Sequence, residues 1–150
     1  NHDYYWNSTQ KLNEMFNSMY FLKNNFYEFE DYLVCGTRGW LCPGDTRYTD
    51  HDKKIYLREV GRLKLSLESA VNSGKYNDNI ILMMHFPPTN DKHDKSEFIE
   101  LIEKYNIKRV IYGHLHGKKK YDNSLIGNEN NVEYSLVSAD YLGFKPIKIL

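Results

Sequence analysis

Residues 80–84 read Ile-Ile-Leu-Met-Met, an unbroken apolar run of strand length, cut off at once by His85-Phe86-Pro87-Pro88. A strand with one wet face alternates apolar and polar residues, so an unbroken run predicts a strand covered on both faces, as in a parallel sheet flanked by helices. A second covered strand is predicted over 108–112, ending at Gly113-His114-Leu115-His116-Gly117. Between them, 95–105 has the spacing of a short helix that buries Phe98, Ile99, Leu101 and Ile102. Earlier in the chain, Asp31-Tyr32-Leu33-Val34-Cys35 closes on Gly36 and reads as another strand. A helix beginning near Asp52 places Tyr56, Val60, Leu63, Leu67 and Ala70 on one face and stops at Gly74. Ser8 or Thr9 can cap a helix over roughly residues 9–24, with Leu12, Met15, Phe16, Met19 and Leu22 at three- and four-residue steps. Late strands are predicted near 132–137 and 146–150, with 118–120 and 127–131 as solvated turns. Strands and helices in alternation predict α/β layers around a mixed sheet.

The length of 150 residues allows one ordinary domain or part of a larger one. Twenty Lys and Arg balance twenty Asp and Glu, which argues against general nucleic-acid binding and against an anionic-membrane binder, both of which usually carry a basic excess. No apolar run is long enough for a transmembrane helix. The two cysteines, Cys35 and Cys42, lack C-x-x-C spacing and are expected to be reduced thiols in a cytoplasmic protein, with Cys35 packed at a strand end.

Chemistry concentrates where the covered strands end. In open α/β sheets ligands bind at the carboxyl ends of strands, and there the sequence puts His85 after one strand and His114 and His116 after another. Neutral imidazole is the commonest metal ligand. If 114–116 is extended, its two histidines point the same way with Cα atoms about 6.6 Å apart, from a rise of about 3.3 Å per residue. That separation suits two metals about 3.5–4 Å apart with one histidine on each, as well as both on one metal. Each of these residues also has a bland reading, as a capped or solvated histidine or, for Pro87-Pro88, a loop stiffener. His51 and His93 lie in charged surroundings and are expected on the surface.

Taken in order, Asn1-His2-Asp3, His85 at a strand end and Gly113-His114-Leu115-His116-Gly117 resemble the second half of the calcineurin-like metallophosphoesterase signature. That signature runs D-x-H, G-D-x-x-D, G-N-H-[DE], a lone His, then G-H-x-H. The segments Gly36-Thr37-Arg38-Gly39-Trp40 and Met84-His85-Phe86-Pro87-Pro88 resemble a bacterial subgroup of such phosphoesterases. The resemblance covers essentially the whole chain and implies an α/β fold, the later half of a four-layer α/β/β/α sandwich with mixed sheets. Neither D-x-H nor G-D-x-x-D stands ahead of Asn1-His2-Asp3 in these residues, and the glycine of G-N-H-D is missing. The expectation is therefore that residues 1–150 are the C-terminal part of a single metallophosphoesterase domain, starting inside its third motif.

The resemblance implies two divalent metal ions, and a shell of His, Asn and Asp suits Mn, Fe or Zn better than Mg or Ca. Asn1, His85 and His114 would share the second metal and His116 would bind the first. His2 would stand beside the phosphate as hydrogen-bond or proton donor, with Asp3 orienting it. The implied activity is metal-dependent hydrolysis of a small-molecule or protein phosphoester, by in-line attack of a hydroxide bridging the two metals. The competing expectation is a catalytically inactive fragment with at most a partial metal site, acting only as a folding or assembly module. Arg38, in a glycine-flanked loop, is a candidate for gripping substrate phosphate; the alternative is a salt bridge to a carboxylate such as Asp45. Asp140, after a strand, is a candidate partner for a ligand histidine or else a turn residue, and Tyr112 is expected in the core. Loss of upstream strands is expected to uncover the edges of 80–84 and 110–112 and to permit self-association through them.

Overall fold

A computed structural model of the chain describes residues 8–75 and 79–150. One six-stranded mixed sheet runs in the order β1-β2-β3-β4-β6-β5, from β1 (Phe26–Phe29), β2 (Tyr32–Thr37), β3 (Ile80–Met84), β4 (Arg109–Tyr112), β5 (Gly127–Glu129) and β6 (Val132–Leu136). The four central strands β2, β3, β4 and β6 are mutually parallel, and an antiparallel hairpin partner closes each side. The apolar runs are therefore the middle of the sheet, as their composition requires. Leu33, Cys35, Ile80, Leu82, Val110, Tyr112, Val132, Tyr134 and Leu136 point one way, into the main core. The period of two sends Ile81, Met83 and Ile111 to the other face, where Met83 is 45% exposed.

Two helices cover the core face. α2 (Asp50–Ala70) starts at a capping box in which Thr49 and Asp52 satisfy each other's free amides, and it buries Tyr56, Leu63, Leu67 and Ala70. It leaves through Val71–Lys75, where Gly74 takes φ 72, so the stop at glycine holds. α3 (Glu97–Lys104) is capped by Ser96 and buries Phe98, Leu101 and Ile102. Leu63, Leu67, Leu82 and Ile102 are sealed from water, each contributing about 1.5–3 kcal/mol relative to an exposed position. The Tyr56 hydroxyl accepts the Glu97 N–H at 2.8 Å, tying the two helices together where α3 begins.

Several expectations need correction. The first helix, α1 (Thr9–Met15), is half the expected length, since Phe16 leaves helical geometry at φ −128 and Met15 and Met19 stay exposed. The periodicity beyond Met15 therefore did not correspond to a buried helix face. Residues 146–150 form no strand, whereas 127–129 do pair with β6, and 118–121 form the single helical turn α4 (Lys118–Tyr121). β1 was not anticipated; it folds back on β2 through a turn at Glu30-Asp31. The uncovered edges at 80–84 and 110–112 do not exist, because β2 and β6 hydrogen-bond to the outer sides of β3 and β4. The sheet's edges are the short strands β1 and β5 instead.

Candidate metal centre at the carboxyl ends of the strands

β2, β3, β4 and β6 all end on the same side of the sheet, and Arg38, His85, His114 and Asp140 follow those ends. Backbone bonds lock the ends together. Arg38 offers its carbonyl to the amides of His85 and Phe86 at 3.2 and 2.8 Å, and Gly113 donates to the His85 carbonyl at 3.1 Å. His85 and His114 meet in this frame. His114 Nδ1 lies 3.2 Å from His85 Nε2, with ring centroids 5.0 Å apart at 73°. Phe86 is laid across His114 at a centroid distance of 3.8 Å.

The stretch 114–116 is not extended. His114 has φ 68, and the Leu115 amide donates back to the Gly113 carbonyl at 2.8 Å, which closes a three-residue turn. A left-handed φ on a histidine is uncommon and strained, and such strain concentrates at working sites. Its effect is to split the pair: His114 faces His85, while His116 faces Asp140, with Nδ1 2.8 Å from Oδ1. The parallel pointing expected of an i, i+2 pair is overturned for that reason. Asp140 is thus a histidine partner rather than only a turn residue. It also accepts the Gly117 amide at 3.3 Å and the Tyr121 hydroxyl. Hydrogen bonds from Tyr121, His116 and Gly117 hold its carboxyl down to about 2.

The donor set suits a divalent cation at one point. Burial first, then the charge of His85, Lys120 and Arg47, pushes His114 down to about 4, so it is neutral near pH 7. Two nitrogens each about 2.0–2.1 Å from one tetrahedral ion stand about 3.3 Å apart, close to the 3.2 Å found here. Among the described residues no group of three or more His, Cys, Asp or Glu side chains converges as a complete ion site. Asn1, His2 and Asp3 lie outside the described residues.

Beside His114 opens a cleft of about 350 Å³ walled by Trp40 and Phe86 and edged by Arg47, Lys119 and Lys120. The Trp40 and Phe86 rings are 5.0 Å apart. Arg47 is held by Asp45 through two bonds of 3.1 Å. Asp45 is therefore not the partner of Arg38. Arg38 instead pairs with Glu59 at 3.3 Å and lies 4.6 Å over the Trp40 ring. His51 and His93 are exposed, and Tyr112 and Cys35 are buried, as expected; Cys42 is buried as well.

Glu59 is the residue that sequence reasoning missed. It is fully buried, and its carboxylate takes Arg62 at 2.7 Å, Arg38 at 3.3 Å and the Thr37 hydroxyl at 2.8 Å. The available signal was its position: three residues after Tyr56 and four before Leu63, Glu59 falls on the apolar stripe of α2, where a charge needs partners.

The family model for calcineurin-like phosphoesterases matches residues 1–118. The match spans well over half of the chain, and the chain belongs to the calcineurin-like phosphoesterase family. The family consists in general of hydrolytic phosphoesterases that use divalent metals. No curated protein and no solved structure gives a match. Among the described residues no helix is long and apolar enough to cross a membrane.

Proposed function

We propose that the chain carries the C-terminal ligand half of a dinuclear phosphoesterase centre and hydrolyses a phosphoester at the carboxyl ends of β3 and β4. The observation that carries this reading is the His85–His114 pair at 3.2 Å, presented by two neighbouring parallel strands beside an open cleft. His85 and His114, joined by Asn1, would hold one divalent ion, and His116 the other, with Mn, Fe or Zn suited to the nitrogen-rich set. Bound there, the ions supply an activated water and neutralise charge on the phosphoryl oxygens. His2, oriented by Asp3, would pass a proton to the leaving oxygen. Lys119, Lys120 and Arg47 face the cleft in which the ester would lie and favour its anionic end. Arg38 would have to leave Glu59, and Arg47 would have to leave Asp45, to serve as a phosphate clamp.

A second reading has one observation in its favour: His116 is turned to Asp140 and not into the His85–His114 pair. On that reading the chain is an inactive piece with a partial ion site. Cation stoichiometry and turnover separate the two. About two equivalents of Mn²⁺ or Zn²⁺, with hydrolysis of a chromogenic phosphoester that His85→Ala and His114→Ala abolish, supports the hydrolase. One equivalent or none, with no turnover, supports the inactive piece. Turnover that survives both substitutions removes the pair from the chemistry.

A further inference from the structure

Asp140 stands four residues past the end of β6, the strand beside β4, so its carboxylate reaches the loop after β4 from a different part of the chain. Three groups converge on it: His116 Nδ1 lies 2.8 Å from Oδ1, and the Gly117 amide at 3.3 Å and the Tyr121 hydroxyl donate to Oδ2. Tyr121 is steadied in turn by Tyr141, whose ring meets its own edge-on at 5.1 Å. Among the described residues Asp140 is the partner that orients the His116 ring, 65% of whose side chain is exposed.

An ionised carboxylate only accepts hydrogen bonds, so the ring nitrogen that faces it must carry a proton. A neutral imidazole has one N–H. Placing that proton on Nδ1 leaves the lone pair on Nε2, at the side of the ring away from Asp140. We infer that Asp140 is a positioning residue that locks His116 as the Nδ1–H tautomer and makes Nε2 its sole donor to a divalent cation, with Tyr121 and Gly117 bracing the carboxylate. The cation half of this inference rests on the proposed role of His116; the tautomer half stands on hydrogen bonding alone. Carboxylate–histidine pairs of this kind are worth about 10–100-fold in cation affinity where they support a ligand.

The test uses the chain without added metal. Two-bond ¹⁵N–¹H correlation spectra of neutral His116 report which ring nitrogen is protonated. The wild-type chain is expected to show Nδ1–H, and an Nε2–H signal there overturns the inference without any substitution. In Asp140→Asn the amide can donate to Nδ1, so the ring is expected to shift to Nε2–H, while Asp140→Glu restores the wild-type pattern. Tyr121→Phe, which removes only the brace, should give a mixture of tautomers, and it keeps the experiment decisive if Asp140→Asn does not fold. Mn²⁺ titrations followed by line broadening at His116 should then show affinity lower by about 10–100-fold in Asp140→Asn. A tautomer unchanged by Asp140→Asn refutes the positioning role whatever the chain's activity. A shifted tautomer with unchanged Mn²⁺ affinity overturns the cation half, and with it the assignment of His116 as a ligand.

Discussion

Replacing Glu59 by Gln keeps the side chain's size and removes its charge, so it isolates what the buried carboxylate does. In the native chain Glu59 is sealed from water, and its two oxygens satisfy Arg62 at 2.7 Å, Arg38 at 3.3 Å and the Thr37 hydroxyl at 2.8 Å. Stranding one member of a buried ion pair costs about 3–5 kcal/mol. Here the stranded members are arginines whose side chains keep 36% and 31% of their exposure. Water reaches them, which lowers the cost toward that of a lost charge-assisted hydrogen bond, and about 2 kcal/mol is the expected destabilisation. For a chain of this size that is about 4–8 °C in Tm, read by circular dichroism. The control is Lys64→Ala, which breaks an exposed pair to Glu68 at 3.7 Å and should move stability by less than about 0.5 kcal/mol. A functional consequence follows through the backbone: the Arg38 carbonyl holds the amides of His85 and Phe86, so loosening Arg38 should also weaken cation binding at His85. Glu59→Gln within about 0.5 kcal/mol of wild type would refute the claim that this carboxylate anchors the end of β2.

Three further outcomes are expected. Gly36→Ala puts a Cβ 2.3 Å from the Met83 carbonyl oxygen, inside the parallel pairing of β2 and β3; it should destabilise by at least about 1–3 kcal/mol in urea unfolding, and an unchanged midpoint refutes that packing. Burial pushes the thiol of Cys35 up to about 11 and that of Cys42 up to about 12, so the native chain should resist a thiol reagent at pH 8 and react at both cysteines once unfolded; prompt native labelling refutes the burial. Burial likewise raises Tyr112 and Tyr134 to about 12, so the folded chain holds protons that the unfolded chain releases near pH 10. Stability contributed by these groups is intact below about pH 10 and falls as pH climbs toward 12, and phenolate absorbance rising at pH 10 without loss of structure counts against it only if Tyr112→Phe and Tyr134→Phe reduce that rise.

What could be read in advance follows a physical division. The parallel centre of the sheet was legible because a strand with neighbours on both sides and most of its length buried is apolar throughout, as Ile80–Met84 is, although Met83 at 45% exposure shows that its second face is only partly covered. The hairpin strands were not, since Phe26-Tyr27-Glu28-Phe29 is a half-exposed edge and Gly127-Asn128-Glu129 a wholly exposed one, and their pairing is decided by their neighbours rather than by their own pattern. The overlong first helix shows the reverse error. Met15, Phe16 and Met19 keep helical spacing, yet local spacing stabilises a helix only when a surface lies against it, and Met15 is 72% exposed. Arg38 was correctly placed in a loop after a strand, but its partner is twenty-one positions away on α2, and nothing local distinguishes Glu59 from Asp45.

The same division explains the site. Which histidines end strands is a local property, and His85 and His114 followed from it directly. Which way each ring faces depends on a single backbone angle: the φ of 68 at His114 turns His114 toward β3 and leaves His116 to be caught from β6. An angle in that region is disfavoured for histidine, so no propensity predicts it, and it persists only because the surrounding bonds over-determine it. The Gly113–His85 bond on one side and the Asp140 bonds to His116 and Gly117 on the other do that here. Two histidines two residues apart are thereby committed to different neighbours. A dinuclear centre needs that division of labour if one ion is to be held by the β3–β4 seam and the other to be offered a ligand braced from β6.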